Sequence, residues 1–411
     1  MKIYGQTFRE VFAKLPWQYK IVVAVGSVFV VFVMIEVPAI LLGRNAGPKA
    51  PVPGPLEISA AGGHPSDAMF DPSLAYDPQN QTVWLAYTSG ENAEKGGSLV
   101  HVRLASSSAA DFCKRWTATA NGIAGKNDEI LAPDSQTVLR TGSWRVETPT
   151  LVHDPDDRGH EWKLYAYKYF WADDPMYTLQ VAQHYGMIVY KYATDPAKEW
   201  STEQWLFSPA PDYPPPPYEP MVRLHLNRLD PSLEKVVAYS RPSAVYKDGA
   251  LVMTLSAFTG GTTPDRVIMI VSLDHGNSWR YVGTLLQTSD LAAIPSDTAA
   301  PYSVLAGATL IEQAGQVYLA VVLGKTMQRG EATFIFGFDD FAKGLLQRDP
   351  KTGAPAVLHE VPQQTHGMVG GGFVAYSDAC PLGMLTTEQV RGASNFRILK
   401  TYVNPVEKME K

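Results

Sequence analysis

Three side chains suited to proton transfer or anion binding recur in one local frame of this sequence. Asp71 opens Asp71-Pro72-Ser73, Glu147 opens Glu147-Thr148-Pro149-Thr150, and Arg241 opens Arg241-Pro242-Ser243. Two carboxyl groups brought together can act as general acid and general base. A guanidinium in the same neighbourhood can hold a carboxylate through a bidentate fork. Glu219, just before Pro220, is a third acid for the same work. Other chemistries lack their motifs: there is no P-loop, no G-x-G-x-x-G after a strand, no H-E-x-x-H and no G-x-S-x-G. Asp154, Asp156 and Asp157 with Gly159 suggest a calcium loop, but the spacing is wrong for an EF-hand and no Glu closes it. An acidic hairpin turn is the better reading, so no metal or cofactor is expected.

The elements that must position these residues are strands. From about Leu56 onward, short β-branched and aromatic runs alternate with Gly, Pro, Asn and Asp clusters, and helical periodicity is absent. The runs repeat. Phe70 to Asp77 precedes Thr82 to Thr88, Glu147 to Asp154 precedes Trp162 to Tyr167, and Arg241 to Asp248 precedes Ala250 to Ser256. Weaker copies lie at Ser303 to Val322 and Met368 to Tyr376. Later in each unit an acidic turn leads to an aromatic residue, at Asp111 to Trp116, Asp195 to Trp200 and Asp274 to Trp279. Asp339, Asp340 and Phe341 serve the fourth unit, and Glu388 with Phe396 the fifth. The expected fold is all-β, a five-bladed β-propeller, with a pair of β-sandwiches as the competing architecture.

Ser272-Leu273-Asp274-His275-Gly276-Asn277-Ser278-Trp279 joins two such strands. The carboxylate of Asp274 can accept N–H groups within its own turn, Gly276 can take a positive φ, and Trp279 can fold back over the turn. At these positions the sequence resembles the Asp-box hairpin of sialidases and related propellers, which lies between outer strands of a blade and away from the active site. The D-P-S start at Asp71 resembles the five-bladed glycoside hydrolases of the arabinanase and β-xylosidase type. That resemblance implies Asp71 as general base, a second carboxylic acid as proton donor and a third acid that tunes the pair. Glu147, offset by one residue, best fits the donor, with Glu219 behind it. Arg241 stands where unit three would carry an acid, and there it suits the carboxylate of a uronic or sialic acid. The Arg triad of sialidases is incomplete, since only Arg241 and then Arg145 or Arg223 have a logical place. Each residue also has a plain reading. Asp71 caps a turn, Glu147 pairs with Arg145 or a neighbouring blade, and Arg241 neutralises an acid in a plugged funnel. Tyr169, Phe170 and Trp171 stack on sugar rings, with Trp171 a substrate-binding candidate, or they pack between blades.

Composition sets the outer bounds. The chain has 411 residues, 45% hydrophobic and 18% charged, with net charge -6 and no basic footprint for nucleic acid. Its two cysteines, Cys113 and Cys380, read either as two buried thiols or as one disulfide; closing a propeller brings the units that hold them together. Residues 1–20 carry Lys2, Arg9, Lys14 and Lys20 against Glu10, and 21–42 is an apolar run long enough to cross a bilayer. The expectation is an uncleaved single transmembrane helix with its N-terminus cytoplasmic, in preference to a cleaved signal peptide. Glu36 lies inside that span, either at the outer interface or hydrogen-bonded to a membrane partner. The Pro-rich stretch 43–55 reads as a stiff tether, 56–405 as the propeller outside the membrane (periplasmic or extracellular), and 406–411 as a tail. Ser208 to Pro220 reads as a stiff polyproline loop over one face. Two functions fit: a membrane-anchored propeller that binds and hydrolyses a glycan, and a catalytically silent propeller serving as an extrinsic subunit of a membrane complex.

Overall fold

A computed structural model describes residues 2–3, 6–7, 53–59, 68–90, 99–132, 134, 136–174, 182–215, 217–294, 302–326, 329–362, 373–389 and 396–406. The chain divides into two compact units, Met1–Val52 and Pro53–Lys411. In the first, Lys2–Ile3 pairs with Gln6–Thr7. The apolar span 21–42, with Glu36, lies outside the described residues. Among those residues no helix is long and apolar enough to cross a membrane.

The second unit is a five-bladed propeller. Blade one runs outward from the axis through Ala68–Asp77, Thr82–Gly90, Val100–Ser108 and Trp116–Ile123. Blade two uses Val138–His153, Trp162–Ala172, Met187–Ala193 and Gln204–Ser208. It gains Lys126–Leu131 against the first half of its long strand, and Val222–His225 on its outer edge. Blade three is Ala238–Lys247, Ala250–Phe258, Arg266–Ser272 and Arg280–Gln287. Blade four is Val304–Gln313, Gln316–Thr326, Arg329–Phe336 and Val357–Pro362. Blade five has Val374–Ala375, Leu385–Gln389 and Phe396–Lys400, and its outermost strand is Gly54–Pro55 from the other end of the domain. Two expectations are corrected here. The tether set at 43–55 gives up its last two residues to the sheet. Glu388 also lies in the second strand of blade five, before Phe396 opens the third, so this blade lacks the acidic turn ahead of its outer strand.

Each sheet exposes two apolar faces, and the ring buries them in five seams. Separate clusters join blades one and two around Trp84, Trp144 and Trp162, and blades two and three around Tyr165, Phe207 and Trp279. The third and fourth blades meet around Leu285, Leu319 and Phe334, and the fourth and fifth around Ile335, Val361 and Met384. The last seam, between blades five and one, holds Leu56, Trp116 and Leu385 beside a Cys113–Cys380 disulfide that links residues 267 apart in sequence. A cross-link and a shared sheet thus close the ring.

The repeated Pro-Ser/Thr frame now has a structural reason. Pairing between the first two strands slips at Phe70/Ser73 in blade one, Glu147/Thr150 in blade two and Ser240/Ser243 in blade three. The proline has no N–H for the ladder to lose, so it sits at the bulge without cost to pairing. The hydroxyl after it links neighbouring blades. Ser73 Oγ accepts from Leu151 N–H (3.0 Å), Thr150 Oγ1 from Ala244 N–H (3.1 Å) and Ser243 Oγ from Leu310 N–H (2.8 Å). These hydroxyls form a girdle between consecutive inner strands.

In the turn Ser272–Trp279, Asp274 accepts hydrogen bonds from Ser278 N–H (2.8 Å) and Ser278 Oγ–H (2.6 Å), which hold its carboxyl down at about 2. Gly276 takes φ +94°, and the Trp279 indole N–H donates to its carbonyl at 3.1 Å. The turn connects the two outer strands of blade three.

Candidate active site

The residue before each bulge proline takes a left-handed backbone: Asp71 (φ +51°), Thr148 (φ +53°) and Arg241 (φ +55°). This conformation is costly for side chains with a Cβ, and costlier still ahead of proline. Neighbouring groups enforce it. Asp71 N–H donates to Thr387 Oγ1 of blade five at 3.0 Å, and Thr148 N–H donates to Thr88 Oγ1 of blade one at 3.0 Å. Strain held at one register position in three successive blades marks a functional locus.

Asp71, Glu147 and Arg241 form one electrostatic group. Asp71 is only 1% exposed; burial raises its carboxyl well above the ordinary range. The charge of Glu147 pushes the same way, while Arg241 and the Thr88 hydroxyl pull back. Thr88 Oγ1 already accepts from Thr148, so its own proton points to Asp71 Oδ2 at 3.4 Å. Glu147 is also raised by burial, against the opposing pull of the Tyr169 hydroxyl, Arg241 and Arg145. Tyr169 Oη donates to Glu147 Oε2 at 3.1 Å, and the same phenol stacks on Tyr167 at 5.0 Å.

What these groups leave unmade is as telling as what they make. Asp71 Oδ1, Thr148 Oγ1, Arg145 Nε and Arg241 Nη1 are all buried without a hydrogen-bond partner. Among the described residues, neither Asp71 nor Glu147 is ion-paired with Arg241 at contact distance, and Glu147 is not paired with Arg145. Buried polar atoms are normally satisfied, so four orphans at one locus mark unmet hydrogen-bonding capacity concentrated around the two acids.

The sequence candidates sort as follows. Asp71, Glu147 and Arg241 come together. Trp171 lies at the edge of this group, half-buried, with the Arg145 guanidinium stacked 4.5 Å from its ring centre while the ring packs against the seam of blades two and three. Glu219 starts a short 3-10 turn, Glu219–Met221, and its side chain lies outside the described residues. Arg223 is elsewhere, donating to the Asn277 carbonyl at 3.0 Å. The acidic turn after blade two's inner strand gathers its carboxylates around an ammonium group. Asp154, Asp157 and His275 cluster closely, but the buried Lys163 ammonium already sits 3.0 Å from Asp154 and 2.6 Å from Asp157. Thr148 and Thr88 have no role in the sequence reading, and Tyr169, a sugar-stacking candidate there, instead hydrogen-bonds Glu147. Thr148 shares the frame of Asp71 and Arg241, a residue directly before Pro-Ser/Thr, which was signal enough.

Beyond the girdle, on the side away from the acids, an axial cavity of about 360 Å³ lies between the strand halves that follow the bulges. Leu74, Leu151, Ala244, Leu310 and Val374 line it, and Tyr76 and Tyr246 stand further along. Asp71, Glu147 and Arg241 are not part of its wall.

No protein-family description matches the chain, and no curated relative is found. Solved structures align with it at TM-scores below 0.5. One is a family 117 glycoside hydrolase of Zobellia galactanivorans, 12% identical over 87% of this chain and 92% of that one, with a TM-score of 0.45. An α-L-arabinofuranosidase of Podospora anserina is 10% identical over 84% of this chain and 93% of that one (TM-score 0.44). The Trypanosoma rangeli sialidase is 12% identical over 81% and 54% (TM-score 0.41). The chain is a five-bladed β-propeller.

Proposed function

We propose that the propeller binds a glycan at its axis and hydrolyses it, with Asp71 and Glu147 as the acid–base pair. The observation that carries this reading is the set of orphaned, buried polar atoms around two carboxyl groups. In a plugged and silent funnel, Arg241 would be spent on the acids; here the three stand close enough to perturb one another yet remain unpaired. A buried and a half-buried carboxyl group that repel each other hold one proton between them, as acid–base catalysis requires. The environments favour Asp71 as its carrier in the free site, since Glu147 has Tyr169 and two guanidinium groups to support its charge. That order is opposite to the one implied by the family resemblance. Arg241 and Trp171 line the substrate side, and Glu219 stands as a further contact.

The experiment is hydrolysis of aryl glycosides by Asp71→Asn and Glu147→Gln. Each loses about 10²- to 10⁴-fold in kcat/KM while keeping the wild-type fold. With a dinitrophenyl leaving group, which needs no protonation, the variant lacking the acid recovers and the other does not. Activity unchanged in both variants would remove the assignment.

The propeller's place is proposed as outside the membrane, held by 21–42 as a single span with a cytoplasmic N-terminus. The Cys113–Cys380 disulfide supports an oxidising compartment. Glu36 in the span supports a membrane partner as a second reading, in which the propeller serves a larger complex. Co-purification of a stoichiometric membrane subunit that is lost in Glu36→Leu is its test.

A further inference from the structure

The acid–base reading fixes a charge count that the site itself does not balance. Asp71, Arg241, Glu147 and Arg145 form a contiguous electrostatic chain: Asp71 feels Glu147 and Arg241, and Glu147 feels Arg241 and Arg145. Two acids against two guanidinium groups sum to zero only when both acids are ionised. A hydrolase that works by proton donation must hold one of them protonated. In that state the described part of the site carries one net positive charge in a half-buried setting. A buried charge without a counter-charge is costly. Glu388, buried next to the Thr387 that accepts from Asp71 N–H, is balanced by Arg397 at 2.5 Å and supplies no surplus.

The two guanidinium groups are also built to receive an anion. Arg241 projects from a strained bulge, and its Nη1 is buried without a partner. The Arg145 guanidinium lies over the Trp171 ring, 4.5 Å from its centre, with its Nε buried and equally unpartnered. Stacking fixes the plane of a guanidinium and leaves its N–H edge free for directed hydrogen bonds. If these arginines served only to neutralise the acids, their free N–H groups would be directed onto carboxylate oxygens. They are not.

We propose that the glycan carries one anionic group, a carboxylate or a sulfate ester, held by Arg241 and Arg145 when the acid pair has its working proton. This rests on the hydrolytic reading above and names its substrate class. A neutral sugar leaves the positive charge uncompensated, and a dianionic one overshoots it.

The test uses the full chain and matched sets of 4-nitrophenyl hexosides, hexuronides and 6-O-sulfated hexosides, with calorimetric binding of galacturonate, glucuronate and glucose 6-sulfate. The anionic member of a set is preferred roughly 10- to 100-fold in kcat/KM, the worth of one or two charge-assisted hydrogen bonds. Arg145→Gln slows both members, because this guanidinium also supports the charge of Glu147, but slows the anionic member about tenfold more and so removes most of the preference; Arg145→Lys, which keeps the charge and the fold, retains part of it. The better of uronide and sulfate ester identifies the source of the charge. Equal or faster cleavage of neutral hexosides, with Arg145→Gln slowing both alike, overturns the inference and leaves the hydrolase standing. Binding of the anionic sugars without cleavage of any glycoside keeps the inference and overturns the hydrolase. Neither binding nor cleavage overturns both.

Discussion

Blade two buries charge in two places, and the two are built by opposite rules. Where the inner strand enters the ring, Glu147 shares its surroundings with Asp71 and Arg241, and four polar atoms there have no partner. At the other end of the same strand, Asp154 and Lys163 are both fully buried, yet their contacts are complete. Lys163 Nζ meets Asp154 at 3.0 Å, Asp157 at 2.6 Å and the His160 carbonyl at 2.9 Å, while His275 of blade three approaches Asp154 at 3.1 Å. Tyr246 of blade three hydrogen-bonds Asp156 in the same turn. The satisfied cluster ties the blade-two hairpin to its neighbour. The unsatisfied one is linked to its neighbours through backbone N–H and hydroxyl groups while its carboxyl and guanidinium groups form no ion pair, and that difference separates a structural use of charge from a functional one.

The comparison breaks first at Lys163. Replacing it with Met leaves the Asp154 carboxylate buried and without its main counter-charge. Losing one partner of a buried ion pair costs about 3–5 kcal/mol. Urea unfolding of Lys163→Met should show a loss of that size, with glycoside hydrolysis unaffected at a temperature where the variant is folded. A loss under 1 kcal/mol, or a loss of activity in the folded variant, would erase the distinction between the two clusters.

A smaller effect is expected at the girdle. In Ser243→Ala the Leu310 N–H loses its acceptor between blades three and four, and a buried donor left unmet costs about 1–3 kcal/mol. Ser243→Thr keeps the hydroxyl and should keep most of the stability. The girdle was legible in the sequence as the recurring Ser or Thr after Pro, because a bulge and an inter-blade hydrogen bond impose the same two residues on each blade. Three of the five blades could be found this way. Blade five could not, since its outer strand is Gly54–Pro55, two residues with no strand signature that read as tether. Its second and third strands then fell out of phase with the other blades, which is why Glu388 and Phe396 were placed in the wrong connection. The site was half legible. Asp71 and Arg241 share the frame position whose side chain the bulge re-aims, and so does Thr148, whose uncharged hydroxyl carries no signal of its own for acid–base chemistry. Tyr169 was invisible as a partner of Glu147, because it reaches that carboxylate from the adjacent strand. The orphaned atoms were not legible at all, since lack of a partner is a property of three-dimensional packing.

The finest test of the comparison is the pH dependence of stability at Asp71. Its folded carboxyl is held above the unfolded value of 3.8, chiefly by burial. Below 3.8 both states are protonated and the site contributes its full stability. As pH rises, the unfolded chain gives up the proton while the folded chain keeps it, and stability drains away until the folded carboxyl also ionises. Asp71→Asn cannot ionise, and Asn tolerates the left-handed backbone at this position, so it should not introduce new strain. The variant should therefore gain stability relative to wild type as pH climbs from 4 toward 8, by roughly 1 kcal/mol, as residues kept for activity against stability commonly show. Thermal unfolding of both proteins across that range measures the gap. A gap that shrinks with rising pH would mean that Asp71 is stabilised as an anion, which would make it a structural ion like Asp154 and dissolve the contrast between the two ends of the strand.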